Sequence, residues 1–180
     1  MRLSRFLSIG LTATIFVGTF AALAPVASAA TCPSGKADGA TIATIKYGAI
    51  SVPVKSVTYP VSGELDPPDS PLVAGVSALH NPLSAKVGSS IIVWHISNKG
   101  CKGKLNPIVK SKKGAKITIT DENGAKRVYK VTDNLSVPLG SYKAKWFRLD
   151  GVRQLVFVTC GGKVVNKHFT RNLIVIAVPA

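Results

Sequence analysis

"LVFVTCGGKVVNKHFTRNLIVIAV", residues 155–178, holds two apolar runs joined by a polar segment. Alternate residues of a strand point to opposite faces, yet in Leu155 to Thr159 and in Asn172 to Val178 neither face is polar. Both faces must therefore be covered by protein, which suits a central pair in a closed barrel overlaid by loops or a short helix. Cys160 ends the first run and Arg171 opens the second. As antiparallel neighbours, the default for consecutive strands in an all-β fold, the two runs bring Cys160 and Arg171 to one edge. The ten residues between them are more than a tight hairpin needs and read as a binding loop.

Working outward, the chain from Ala49 onward is a series of short apolar runs punctuated by Pro, Gly and Asn, the spacing of an all-β domain. Strands are expected over 50–54, 56–61, 90–96, 115–121, 127–133, 152–159 and 172–178. In "KITITDENGAKRVYKVT" Asn123-Gly124 supplies residues that tolerate positive φ in a hairpin turn. The best helical segment is "PLVAGVSAL", 71–79, and a one-turn helix fits the 137–147 connection. Residues 30–48, rich in Gly, Ala, Ser and Thr, read as a flexible N-terminal segment, a tether or an extended first segment.

Residues 1–29 carry Arg2 and Arg5, an apolar stretch from Leu7 to Ala24, and Ala27-Ser28-Ala29, a small-x-small cleavage pattern. That is a secretory signal, or an uncleaved N-terminal anchor. The roughly 150 residues that follow suit a single domain with its own core, and a monomer is expected. The formal net charge is +15, which favours anionic partners. For an exported protein these are a cell-wall polymer or a membrane surface. No aromatics interleave with Lys110, Lys112, Lys113 and Lys116, so nucleic acid is not expected and those lysines read as a solvated loop. Three cysteines, Cys32, Cys101 and Cys160, are an odd number for an oxidising compartment, so at least one is unpaired within the chain.

A lone cysteine after an apolar run is ordinarily a small buried side chain, and a lone histidine at a strand end an ordinary rim residue. Cys160 and Arg171 at one edge suggest more. A guanidinium favours a thiolate and donates hydrogen bonds to the oxyanion formed when that thiolate attacks a carbonyl. The leaving group needs a proton donor, usually histidine. His95 ends the run "IIVWH", on the same side as Ile91 and Val93, whereas His80 and His168 read as solvated loop residues.

The ordered set of His95, Val-Phe-Val-Thr-Cys at 156–160, and Arg171-Asn172 before an apolar C-terminal strand resembles the sortases. "SGELDPPDSPLVAG" at 62–75 and "TCGG" at 159–162 are similar to segments of the class F members, and the resemblance spans residues 49–180. Trp94 stands where the family usually has Gly, and Val156-Phe157 where it has Thr-Leu. The resemblance implies a closed β-barrel of about eight strands with one or two short helices. It implies a cysteine transpeptidase that cleaves a Leu-Pro-x-Thr-Gly type sorting signal between Thr and Gly. Cys160 would be the nucleophile, His95 the general acid and base, and Arg171 the oxyanion or substrate-positioning group. Their neighbours Thr159, Trp94 and Asn172 are expected to contact substrate. Expected partners are proteins bearing the sorting signal and an amine acceptor in a wall precursor or pilin. No cofactor is expected, and eight carboxylates with no acidic cluster give no metal site.

Two rivals differ in their marks. A secreted, basic β-barrel binding module of the cell wall would use Cys160 and Arg171 structurally. An L,D-transpeptidase needs a histidine two residues before the thiol, where Val158 stands. If Cys160 must stay reduced to act, a Cys32–Cys101 disulfide is the safest state for the remaining pair.

Overall fold

The computed structural model describes residues 31–34, 39–58 and 66–180. The leader expected over 1–29, the end of the strand expected over 56–61 and the start of the 62–75 motif lie outside the described residues. Ten strands follow in chain order: β1 (Ala43–Tyr47), β2 (Ile50–Val57), β3 (Ala74–Ser77), β4 (Ser89–Val93), β5 (Ser97–Asn98), β6 (Cys101–Lys102), β7 (Lys116–Thr120), β8 (Lys126–Pro138), β9 (Gln154–Val165) and β10 (His168–Pro179). Eight of them close a barrel in the order β1-β2-β3-β4-β9-β10-β8-β7, while β5 and β6 form a separate small hairpin. The β2–β3 and β4–β9 pairs are parallel. Two 3-10 turns, Asn106–Lys110 and Ala144–Trp146, complete the regular structure of the described residues.

The apolar runs quoted above are β9 and β10, adjacent and antiparallel within the closed barrel. One face of each fills the interior: Leu155, Phe157, Val175 and Ala177 pack with Ile45, Val54, Ile92, Ile119 and Tyr129. The other face carries Val156, Val158, Ile174 and Ile176, which with Ile91 and Val93 form a second cluster outside the barrel wall. Trp146, on the 3-10 turn within the 137–147 connection, covers that cluster and is 2% exposed. Both faces are thus removed from water, each fully buried aliphatic side chain stabilising by roughly 1.5–3 kcal/mol.

The structure corrects three expectations. Residues 71–79 are not helical; β3 lies there with all four residues buried between β2 and β4. Val73 and Val76 are β-branched, and Gly75 packs directly on the Val57 methyls, where a Cβ would meet them at 2.7 Å. The segment read as a flexible tether or an extended first segment is extended at its end, where it supplies β1, with Ala43 and Ile45 buried and Lys46 exposed. The ten residues between Cys160 and Arg171 are not an open loop. The β9–β10 ladder continues through them to a two-residue turn at Asn166 (φ 49°) and Lys167 (φ 66°), with a register shift between Phe169 and Arg171.

The hairpin expected at Asn123-Gly124 forms between β7 and β8. Asp121 organises it: Oδ1 accepts the N–H of Asn123 (3.0 Å) and of Ala125 (2.9 Å), and Oδ2 pairs with Arg127 Nε at 2.7 Å. Burial alone would raise the Asp121 pKa, but the Arg127 hydrogen bond and the two turn amides outweigh it and hold the carboxyl below its ordinary value.

Candidate active site

Three neighbouring strands bring the candidate residues to one level. In the parallel β4–β9 pair Val93 stands beside Val158. The ladder stops there, and two residues further along each chain are His95 and Cys160. In the antiparallel β9–β10 pair Cys160 stands opposite Asn172. By alternation Cys160 shares its face with Val156 and Val158, His95 with Ile91 and Val93, and Asn172 with Ile174 and Ile176, all members of the outer cluster. His95, Cys160 and Asn172 therefore form a row on the outside of the barrel wall, and all three line one cleft of about 760 Å³. Cys160 is exposed there as a thiol, because Cys32 and Cys101 are joined in a disulfide with a Cα–Cα distance of 5.7 Å.

The chain around His95 is held from behind. Thr159 Oγ1 donates to the Trp94 carbonyl at 2.6 Å. The Trp94 indole N–H donates to Asn106 Oδ1 at 3.0 Å, and Asn106 Nδ2 donates to the Ile96 carbonyl at 2.7 Å. Gly103 N–H reaches the same Ile96 carbonyl at 2.9 Å. A Cβ on Gly103 would sit 2.1 Å from the His95 carbonyl, so only glycine permits this approach. The carbonyls on both sides of His95 are thereby anchored. Thr159 (4% exposed) and Trp94 (1% exposed) are buried in this scaffold, and both are also among the residues that line the cleft. The bulk of Trp94 fills the barrel core beside Leu105 and Ile108.

Arg171 lies one residue before Asn172, paired with Gly161, and so points to the opposite face from Cys160. Its Nε donates to Ser136 Oγ at 2.7 Å and its Nη2 to the Ser136 carbonyl at 2.6 Å. It shares the edge with the thiol, as expected, but it is not among the residues that line the cleft. Asn172 does line it, and its Oδ1 accepts the Gly140 N–H at 3.1 Å.

The cleft wall adds residues that the sequence reading missed. Leu139 and Tyr142 come from the segment after β8, Phe147 from just after the Ala144–Trp146 turn, and Phe169 from the β9–β10 hairpin. Tyr142 meets Phe147 edge to face at 5.4 Å between ring centroids. An aromatic in a long connection between two strands was the available signal. His80, read as solvated, is half-buried on the wall, with Nδ1 3.0 Å from Ser77 Oγ and its ring tilted against Phe147. Lys167 and His168 also line the cleft, and no carboxylate does among the described residues. An apolar groove with Lys167 at its edge suits an extended peptide beside a nucleophilic thiol, since nearby positive charge favours the thiolate.

Comparison with known proteins identifies the domain and the fold. Residues 50–180 match a family model described as a sortase domain. The fold is similar to that of sortase A from Corynebacterium diphtheriae, with TM-score 0.60 and 17% identity over 78% of this chain and 61% of that one. It is similar to sortase C-1 from Actinomyces oris, with TM-score 0.60 and 17% identity over 78% and 73% of the two chains. A third likeness is to Clostridium perfringens sortase C solved with the C-terminal cell wall sorting motif, with TM-score 0.60 and 17% identity over 79% and 72%. The chain thus spans less than two thirds of the corynebacterial protein's length. No curated protein sequence matches it.

Proposed function

The chain belongs to the sortase family, and on that premise we propose that it is an exported cysteine transpeptidase acting on a Leu-Pro-x-Thr-Gly type sorting signal. The observation that carries this reading is the row of His95, Cys160 and Asn172 along one cleft, with the thiol exposed. Cys160 gives its proton to His95 and attacks the Thr carbonyl. His95 returns the proton to the departing Gly amine, leaving a thioester. An amine from a wall precursor or a pilin lysine then takes the acyl group, and water in its place gives hydrolysis. Arg171, beside the thiol's strand end, serves as the substrate-positioning cation once its guanidinium turns from Ser136. The sorting motif bound in the Clostridium perfringens protein supports the substrate class. The leader expected over 1–29 and the net charge of +15 support work at the cell envelope.

The test is incubation with Leu-Pro-x-Thr-Gly and Leu-Ala-x-Thr-Gly peptides in the presence of hydroxylamine. The expected product is the peptidyl hydroxamate, ending at Thr, and Cys160→Ala abolishes it. Cleavage that persists in Cys160→Ala overturns the mechanism. A parent protein that makes no hydroxamate from any of the peptides returns the chain to the reading of a basic wall-binding module.

A further inference from the structure

We infer that the side-chain amide of Asn172, rather than the guanidinium of Arg171, is the hydrogen-bond donor to the oxyanion formed on attack by Cys160. The inference rests on the transpeptidase reading and assigns a catalytic role within it. Asn172 is the cross-strand partner of Cys160, and side chains so paired have Cβ atoms about 4.5–5.5 Å apart. Its orientation follows from chemistry. A backbone N–H only donates, so the atom 3.1 Å from Gly140 N is Oδ1, and Nδ2 is the end left over. Among the described residues no acceptor meets Nδ2. Nor is it sealed in: Ser111 Oγ is the buried side-chain polar atom without a partner among the described residues. Nδ2 is therefore open to the cleft that Asn172 and Cys160 both line.

Gly140 fixes the amide before substrate arrives. Asn172 is 4% exposed, so its rotamer is set by its surroundings. A donor already aimed at the place where charge develops needs no reorganisation during reaction, which is what makes such a group effective. Arg171 lacks that preparation. Its alternation directs it to the other face, and two of its donors are spent on Ser136.

The step is ordinary acyl transfer. As the sulfur–carbon bond forms, the carbonyl π pair moves to oxygen, and the Nδ2–H of Asn172 donates to that oxyanion. Collapse returns the pair to the carbonyl and breaks the carbon–nitrogen bond, with the proton held by His95 leaving on the amine.

The experiment compares hydroxamate formation by the parent, Asn172→Ala, Asn172→Asp and Arg171→Ala, alongside the rate of Cys160 modification by a small methanethiosulfonate. Asn172→Asp is isosteric and still accepts from Gly140, so it guards against a loss of fold. Both Asn172 variants are expected to lose on the order of 100-fold or more in kcat with little change in KM, the scale for removing one oxyanion donor. Thiol modification, which forms no oxyanion, should stay within a few-fold of the parent in Asn172→Ala. Arg171→Ala is expected to raise KM more than it lowers kcat. Either Asn172 variant within three-fold of the parent kcat overturns the inference, as does a loss confined to Arg171→Ala. A parent that makes no hydroxamate while its thiol labels normally sinks the transpeptidase reading itself, a result separable from the others.

Discussion

His80 shows how a residue's place in the chain can mislead about its surroundings. Set in "LHNP", it reads as a solvated loop side chain, but β3 ends in a tight turn that folds the imidazole back to Ser77 and against Phe147. Burial there lowers its pKa below the ordinary histidine value. The sign of the consequence is fixed. The unfolded chain takes up a proton near pH 6.5 while the folded protein resists it, so stability is full above that value and falls as pH drops through it toward the folded pKa. His80→Gln is expected to show a smaller loss of unfolding free energy between pH 7.5 and pH 5.5 than the parent, measured by urea titration at both values. An equal loss in the two proteins would move the acid sensitivity elsewhere. That Cys160 and His95 meet along one cleft was legible in the sequence, because both stand at strand ends. The face that Arg171 takes was not. It depends on the Cys160–Asn172 register, which a two-residue turn and a bulge set together, and a shift of one residue exchanges the faces.

At the scale of elements, hydrophobic patterning exposed β4, β7, β9 and β10 because each carries three or more apolar or β-branched residues in a row or in alternation. It failed for β3 and β1. The four residues of β3 are buried between two strands, where neither face is polar and no period distinguishes strand from helix. In β1 Ala43 and Ile45 are buried in the core with Tyr47 packed partly against it, too short a signal inside a Gly-, Ala- and Thr-rich segment. The Asn106–Lys110 turn was equally silent, since its pattern is one Pro and two apolar residues. Yet that turn carries Asn106, which joins Trp94 to the Ile96 carbonyl and so fixes the loop that presents His95. Asn106→Ala leaves the indole N–H without a partner and the Ile96 carbonyl with the Gly103 N–H alone, a loss of two hydrogen bonds. At about 1 kcal/mol for each hydrogen bond, the expected loss is roughly 2 kcal/mol of stability. The loosened imidazole should also lower hydroxamate formation while methanethiosulfonate labelling of Cys160 persists. A Thr159-anchored strand that alone sufficed to hold His95 would show as full turnover in this variant.

For the molecule as a whole, the barrel closes between β1 and β7, so its integrity depends on keeping β1, the first strand of the described residues, in place. Only five residues of β1 join the ladder. Additional ties lie upstream: Ser70 Oγ donates to the Pro33 carbonyl, Lys55 Nζ donates to the Gly39 carbonyl, and Cys32 is joined to Cys101 across a sequence separation of 69. The bridge anchors the segment to the β5–β6 hairpin, which directly follows the His95 loop. Closing a loop of that length removes chain entropy from the unfolded state and is worth on the order of 4 kcal/mol at most. For a domain of this size each kcal/mol moves Tm by about 2–4 °C, so a Cys32→Ser, Cys101→Ser double variant is expected to melt on the order of 10 °C lower. Calorimetry of the parent with and without a reductant should show the same displacement, and reduction should leave the double variant unmoved. Below the transition, at 25 °C, labelling of Cys160 should proceed at the parent rate, because the β4–β9–β10 row does not include the bridge. A Tm within 2 °C of the parent would mean that the hydrogen bonds to Pro33 and Gly39 hold the first strand without it.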